Sequence, residues 1–331
     1  MRVDFVQPLT ITNISFEPYQ VPFRLPFMIK GVELLHREGF IVRVTTSCGL
    51  TGSGEAAPLP GVSREDLKKA RHDLSVAQQF LPTFELPQER LSLIGKIQAD
   101  NRITGFCPSV RFGLEAAFFD VVSRYHKVSL GAWLGASVDH VPVVALLQGN
   151  KEQVIQEATL MKAQGCHLFK LKVGSRNIPL DVKKVQDLKG VIGPKGLLRL
   201  DANRAWGFKE AVLFGQLATA AQIDFIEEPL SDMGQVGAFY QATQMPVALD
   251  ETLLSPQGDL VTNEAVKALV LKPTLLGGII VTLGWIEKAR QLNKKAVISA
   301  AFESPVGINT LKHLACLTGQ PAGLGTSRWV T

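Results

Sequence analysis

From residue 141 onward, short apolar runs alternate with longer amphipathic stretches. We interpret seven runs as strands, at residues 141–147, 168–174, 197–201, 225–229, 247–250, 268–273 and 296–299. Amphipathic stretches predict helices at about 151–164, 180–190, 208–219, 231–242, 255–265, 279–292 and 304–317. Strands without a polar face are typical of a parallel sheet that helices cover on both sides. An eighth, weaker run near Gly323–Gly325 favours an incomplete or modified barrel over a perfect eightfold one.

The N-terminal part of the chain has a different order of elements. Strands are predicted at 11–19 and 39–44, and helices at 65–80 and 109–124. Residues 52–61 are rich in glycine and proline and predict a loop. Ser63–Asp66 resembles a capping box at the start of the first helix. Strands followed by helices, without alternation, predict a separate α+β domain of roughly 100 residues.

The composition is that of a compact folded protein. Of 331 residues, 46% are hydrophobic and 20% are charged, and the length favours two domains. The net charge is +5 without a long basic run, so we expect no nucleic-acid partner. Four scattered cysteines favour free thiols in a reducing cytoplasm. The N-terminus lacks the apolar core of a signal peptide and no apolar stretch could span a bilayer, so we expect a cytoplasmic protein without a membrane partner.

Five charged residues end, or nearly end, successive apolar runs. They are Lys172, Asp201, Glu227, Asp250 and Lys272, at intervals of 29, 26, 23 and 22 residues. A strand with its return helix needs roughly 25–30 residues, so these intervals match consecutive β/α units. The C-terminal tips of barrel strands converge on one pocket. We therefore predict that the five side chains meet there.

Three of these residues are carboxylates. Asp201, Glu227 and Asp250 offer the hard oxygen ligands that Mg²⁺ prefers. Zinc is disfavoured, because no His or Cys lies at a matching strand tip. Taken singly, each acid has the alternative of a helix N-cap or a surface ion pair. Three acids at matched strand tips favour a metal site.

Two lysines lie two residues apart on one predicted strand. Lys170 and Lys172 therefore point to the same side. The alternative is an exposed edge strand, which the apolar flanking residues disfavour. A cationic neighbour and a bound cation both favour the neutral form of Lys172 that a general base needs. The set predicts metal-assisted proton abstraction next to a carboxylate, with Lys272 as a second acid/base or as a stabilising cation.

These residues resemble the site of the enolase superfamily, in its muconate-lactonising-enzyme-like branch, where a lysine base acts with Mg²⁺. The matching motifs are Lys170-Leu-Lys172, Asp201, Glu227 of Glu-Glu-Pro, Asp250 of Asp-Glu-Thr, and Lys272. The chain is further similar to the o-succinylbenzoate synthase family in the segments 54–61, 200–206, 271–275 and 298–304.

The resemblance implies a modified TIM barrel, (β/α)₇β, with an N-terminal α+β capping domain. The implied division is 1–110 for the capping domain, 111–310 for the barrel and 311–331 for a segment that returns toward the cap. Cap loops around 27–31 and 54–61 are expected to close over a small carboxylate substrate. The implied cofactor is Mg²⁺, with Mn²⁺ as a possible substitute.

The implied reaction is syn dehydration of 2-succinyl-6-hydroxy-2,4-cyclohexadiene-1-carboxylate to o-succinylbenzoate in menaquinone biosynthesis. Lys172 would act as base and then acid, and Lys272 would stabilise the enediolate. Asp201, Glu227 and Asp250 would bind the metal. The implied substrate-binding residues are Lys170, Arg199, Asn203 and Ser299.

Other functions remain open at this point. N-succinylamino acid racemase and dipeptide epimerase use the same two lysines for 1,1-proton transfer. Dipeptide epimerases carry an Asp-x-Asp near the last strand, where this chain has Gly323-Leu-Gly325. A barrel that only binds metal or ligand is a further alternative, which the intact set of charged residues disfavours. The oligomeric state, a monomer or a small homo-oligomer, is not determined by the sequence.

Overall fold

The computed structural model describes residues 9–29, 31–255 and 258–326, except the side chains of 25–27. The strands are β1 (Leu9–Ile29), β2 (Val32–Thr46), β3 (Thr51–Ala56), β4 (Glu85–Leu86), β5 (Ala145–Leu147), β6 (Leu168–Lys172), β7 (Leu197–Asp201), β8 (Ile223–Glu227), β9 (Val247–Leu249), β10 (Val266–Leu271) and β11 (Lys295–Ile298). The α-helices are α1 (Leu67–Phe80), α2 (Arg90–Ala99), α3 (Asn101–Thr104), α4 (Pro108–Tyr125), α5 (Leu130–Leu134), α6 (Lys151–Ala163), α7 (Ile178–Ile192), α8 (Phe208–Ala218), α9 (Val236–Thr243), α10 (Pro273–Leu276), α11 (Ile279–Gln291) and α12 (Pro305–Thr318).

The N-terminal sheet is antiparallel, with strand order β3-β2-β1-β4. Phe40, Val42 and Val44 alternate along β2 and are buried, as expected for a sheet with one face against a core. Helix α4 packs on β3 so closely that a Cβ on Gly54 would lie 1.9 Å from the carbonyl oxygen of Gly113. The predicted loop at 52–61 is therefore wrong in its first half, because these glycines permit a strand to lie directly against a helix.

The second sheet is parallel, with strand order β11-β10-β9-β8-β7-β6-β5. Its ends are joined by the predicted eighth run, since Ala322 forms a parallel bridge with Val143 and Gly323 forms one with Ser299. Backbone hydrogen bonds of 2.8 Å, from Ala322 N to Pro142 O and from Gly323 N to Ile298 O, support this closure. The predicted modified barrel with an α+β cap is confirmed.

Two helix predictions differ from the structure. The first helix begins after Asp66, whose side chain accepts from Lys69 N, so Asp66 rather than Ser63 is the N-cap. The predicted helix at 255–265 is wrong in its described part, which contains a 3₁₀ helix at Gly258–Thr262. A further 3₁₀ helix at Glu251–Leu254 directly follows β9, and another at Met233–Gln235 precedes α9.

A small apolar cluster joins the cap to the mouth of the barrel. Phe23, Leu34 and Leu59 of the cap pack with Leu275 and Phe302, which follow β10 and β11. The cap therefore covers the C-terminal ends of these strands, where barrels of this type carry their functional groups.

The predicted domain boundaries stay a prediction. Helix α4 runs across residue 110, and the end of the C-terminal segment, 327–331, lies outside the described residues, as do residues 1–8 and residue 30 of the predicted cap loop. Among the described helices, none has the length and apolar character needed to cross a membrane.

Candidate active site

A cavity of about 380 Å³ lies between the cap and the C-terminal ends of the barrel strands. Seven of the nine predicted site residues line it: Lys170, Lys172, Asp201, Asn203, Asp250, Lys272 and Ser299. The backbone register explains their convergence, because Lys172 pairs with Asp201 across β6 and β7, and Asp201 pairs with Glu227 across β7 and β8. The mouth of the barrel therefore brings together charged residues that are far apart in sequence, at positions 170, 201, 227, 250 and 272.

The buried charges form three ion pairs, two of which share Lys170. Lys170 Nζ lies 3.0 Å from Asp201 Oδ2 and also donates to Glu227, whose side chain is almost fully buried. Lys272 donates to Asp250 from the other side. Lys172 differs from both, since its side chain is exposed at the tip of β6 while it lines the cavity.

Burial and charge shift the pKa values of these groups in different directions. Burial raises the pKa of Glu227, and repulsion by Asp201 and Asp250 adds to this rise although Lys170 opposes it. Burial also raises the pKa of Asp250, against the lowering effect of Lys272. For Asp201, burial is outweighed by Lys170 and Lys272, and its pKa is lowered. For Glu227 and Asp250, burial thus disfavours the ionised form despite the contact of each with a lysine.

The donor set fits a hard divalent cation. Three buried carboxylates at neighbouring strand tips are ligands that Mg²⁺ prefers, and a cation among them would relieve the repulsion that raises the pKa values of Glu227 and Asp250. In the described ranges, no three such side chains form a ready-assembled metal cluster. Here the ammonium groups of Lys170 and Lys272 contact the carboxylate oxygens instead.

Arg199 does not line the cavity, although a role in substrate binding is predicted for it. It lies two residues before Asp201 on β7, and two residues along a strand are roughly 6.6 Å. Arg199 is 2% exposed and lies inside the barrel. There it pairs with Asp224 at 2.9 Å and donates to the carbonyl of Pro321 at 2.8 Å. Arg199 thus stabilises the barrel interior below the site.

Asn203 lines the cavity in contact with an acid that the sequence analysis missed. Its side-chain nitrogen donates to Glu251 Oε1 at 2.9 Å, and Glu251 also lines the cavity. The signal for Glu251 was present in the sequence as the second acid of Asp250-Glu251. Glu251 begins a 3₁₀ helix after β9 and is therefore not on a strand, so strand alternation could not place its side chain.

A second missed acid, Glu228, holds the loop after β9. Its carboxylate is fully buried and accepts from Asp250 N at 2.9 Å and from Thr252 N at 2.8 Å. It also accepts from the Thr252 hydroxyl at 2.8 Å and from Arg204 Nε at 2.7 Å. Glu228 therefore orients Asp250 without lining the cavity itself.

The rest of the cavity lining is mostly apolar and is called the apolar wall here. It is formed by cap residues Ile29, Leu59 and Val62 and by barrel residues such as Leu275 and Phe302. A cavity lined by lysine ammonium groups and by apolar side chains suits a small anion with a hydrocarbon ring.

A parallel barrel with an α+β cap, and with lysines and carboxylates at its mouth, defines the enolase class of proteins. The comparisons with known proteins agree: residues 153–328 match the family described as "Enolase C-terminal domain-like", and residues 12–121 match "MenC, N-terminal domain". The chain belongs to the o-succinylbenzoate synthase family, a family of lyases within the enolase superfamily.

Two relatives illustrate this similarity. The o-succinylbenzoate synthase of Vibrio cholerae is 33% identical over 93% of this chain and 87% of its own length. "Protein PHYLLO, chloroplastic" of Arabidopsis thaliana is 32% identical over 97% of this chain, which spans only 21% of that protein.

Among solved structures, a dipeptide epimerase from Enterococcus faecalis complexed with Mg and L-Leu-L-Tyr has a TM-score of 0.85. It is 23% identical, and the alignment covers 97% of this chain and 92% of the epimerase. At that identity, the likeness supports the fold alone.

Proposed function

We propose that this protein catalyses the syn dehydration of 2-succinyl-6-hydroxy-2,4-cyclohexadiene-1-carboxylate to o-succinylbenzoate. The observation that carries the proposal is the pair of lysines, Lys172 and Lys272, which line one cavity together with two of three clustered acids in a chain of this family. The apolar wall suits the ring of the substrate, and the lysines suit its carboxylates.

Lys172 is the group that moves the proton. Its amine is at the tip of β6 on the cavity side and, among the described residues, takes part in no salt bridge, unlike Lys170 and Lys272. It removes the proton next to the ring carboxylate and then returns a proton to the departing hydroxyl group. Because both transfers use one amine, proton and hydroxyl leave from the same face.

Lys272 supports the negative charge that develops on the substrate. Its ammonium group is held by Asp250 on the side of the cavity across from Lys172, so it serves as a fixed cation. Asp201, Glu227 and Asp250 would hold Mg²⁺, or Mn²⁺ in its place, which supplies further stabilisation of the enediolate when bound. Lys170 orients Asp201 and Glu227, and Asn203 and Ser299 lie where they can contact substrate.

A second candidate is 1,1-proton transfer on an N-succinylamino acid or a dipeptide. The arrangement of Lys172 and Lys272 on β6 and after β10, four strands apart, favours it, because such a reaction needs one amine on each face. The residues of the last barrel segment, near Gly323 and Gly325, argue against a dipeptide substrate. Gly323 and Gly325 line the cavity and offer no carboxylate to an ammonium group.

The test is a spectrophotometric assay for loss of the cyclohexadiene, with and without added Mg²⁺. We expect turnover that depends on Mg²⁺, and a loss of at least about 10³-fold in kcat for Lys172→Ala. Lys183→Ala, at a largely exposed lysine on α7, is the matched control and should retain full activity. Racemisation of N-succinylamino acids in the absence of dehydration would refute the proposal in favour of the second candidate.

The product would belong to menaquinone biosynthesis, and a cytoplasmic location is part of the same proposal. The four cysteines are free thiols in the structure, which is compatible with a reducing compartment. The choice between a monomer and a small homo-oligomer is left to measurement of the molar mass in solution.

A further inference from the structure

A buried arginine ties the cap to the barrel next to the cavity. Arg37 on β2 is 1% exposed. Its Nε donates to the carbonyl of Phe302 in the barrel at 2.9 Å, and its Nη1 donates to the carbonyl of Pro58 in the cap at 2.8 Å. It also donates to the carbonyls of Glu38 and Ala57. One side chain therefore connects a cap segment and a barrel segment through their backbones.

Glu55 provides a second connection between the same two parts. It lies one residue before the end of β3, is fully buried, and accepts from Ser304 N at 3.0 Å and from Gly307 N at 2.9 Å. The hydroxyl groups of Ser304 and Tyr19 donate to the same carboxylate. The amides belong to the first turn of α12, where a negative charge is favourable. Glu55 thus fixes the start of α12 to the cap sheet.

Both connections border the apolar wall of the cavity. The cap segment 57–62, held by Arg37 at its start, contributes Leu59 and Val62 to the lining. The barrel segment 300–304, held by Arg37 at Phe302 and by Glu55 at Ser304, contributes Ala300, Ala301 and Phe302. The spacing of the two segments sets the width of this wall.

We propose that Arg37 is a positioning residue that sets the spacing between segments 57–62 and 300–304 and so fits the apolar wall to the substrate. The identity of that substrate rests on the proposed function. Arginine suits the task because its planar guanidinium presents five donors in a rigid fork, whereas a lysine ammonium is a single point on a flexible stem. Glu55 supplies the second fixed point.

The expected kinetic effect follows from where the wall acts. It contacts the non-reacting part of the substrate, in the ground state and the transition state alike. Loosening the wall therefore removes uniform binding, which raises KM and leaves kcat nearly unchanged. A defect in the catalytic lysines would lower kcat instead.

The experiment compares Arg37→Met and Arg37→Lys with Arg43→Met. Arg43 is on the same strand, and its ion pair with Glu17 is at the surface, so its variant is the matched control. For Arg37→Met we expect KM to rise about tenfold or more with kcat within about threefold. Hydrogen–deuterium exchange should become faster in segments 57–62 and 300–304, and Arg37→Lys should give a smaller change of the same kind.

If Arg37→Met does not fold, the kinetic constants and the hydrogen–deuterium exchange of Arg37→Lys test the proposal instead. Folded variants with unchanged KM and unchanged exchange would overturn the proposal, as would a fall in kcat at constant KM. The exchange measurement needs no substrate. Failure of the wild-type protein to consume the cyclohexadiene would therefore refute the proposed function, while unchanged exchange would refute the role of Arg37.

Discussion

A turn of the backbone at Glu228 determines which groups its carboxylate contacts. Glu228 follows Glu227 at the end of β8 and has a positive φ of 42°. On a continuing strand its side chain would point away from that of Glu227. The turn instead brings it under the loop that carries Asp250, where it accepts hydrogen bonds from two backbone amides, a hydroxyl group and a guanidinium.

At this scale we predict that Glu228→Gln weakens Mg²⁺ binding roughly tenfold to a hundredfold, the usual effect of removing a group that orients a ligand. A carboxamide cannot accept at both ends, so it would present a donor to Arg204 and Thr252 or to the amides of the Asp250 loop. Isothermal titration with Mg²⁺ measures the effect. Glu287→Gln, at an exposed pair with Arg290, serves as the control, and equal affinities for both variants would contradict the prediction.

At the scale of elements, α4 and α11 meet through one buried acid. Glu115 of α4 is 1% exposed and accepts from Ile280 N at 2.9 Å, in the first turn of α11. Gly278 precedes that helix, and a Cβ there would lie 2.5 Å from the Glu115 carboxylate. The acid thus joins a cap-side helix to a barrel helix in a contact without room for a larger residue.

Burial raises the pKa of Glu115 from 4.5 to about 7, although the Ile280 amide and Arg111 oppose the shift. The folded state therefore binds more protons than the unfolded state between these two pH values. The stabilisation is fully present below pH 4.5 and is lost as the pH rises through 7. The loss amounts to roughly 3 kcal/mol.

We predict that Glu115→Gln removes this part of the pH dependence. Urea unfolding of wild type and variant at several pH values between 4.5 and 7.5 measures it, with about half a pH unit between points. The wild-type free energy of unfolding should fall over this window, and that of the variant should fall less steeply, because only the contribution of Glu115 is removed while Asp250 and Glu227 still titrate. Parallel curves would show that Glu115 does not titrate in this range.

At the scale of the whole molecule, the three acids of the site come from β7, from β8 and from the residue that follows β9. They are brought together only when these three neighbouring strands pair, so the unfolded chain has no comparable site. A ligand that binds only the folded state stabilises it, by about 2.7 kcal/mol at a concentration of 100 times Kd.

We therefore predict that saturating Mg²⁺ raises the Tm of the wild-type protein, by several degrees in a thermal scan. Asp201→Asn should abolish most of this rise, since it removes one of the three charged ligands. Asp259→Asn, at an exposed acid outside the site, should keep it. A Tm that is the same with Mg²⁺ and with a chelator would argue against the metal site.

The spacing of apolar runs in the sequence was enough to predict the barrel and the residues at its mouth. Lys172, Asp201 and Asp250 could be placed there because strand tips recur at a fixed interval and each strand directs alternate residues to one side. Arg199 shows the limit of this reasoning. It shares a face with Asp201, but periodicity does not tell which layer of the barrel interior is open and which is filled.

Only the tertiary structure determines the contacts between segments that are distant in the sequence. The roles of Glu228, Glu251 and Arg37 arise from loops whose paths follow from packing, not from local propensity. Gly54 is a further example. In the sequence it indicates a loop, whereas in the structure it lies in β3 and allows the close approach of α4. Periodicity is a local property of the chain and determines elements and faces, whereas loop geometry and the closeness of two elements depend on every residue between them.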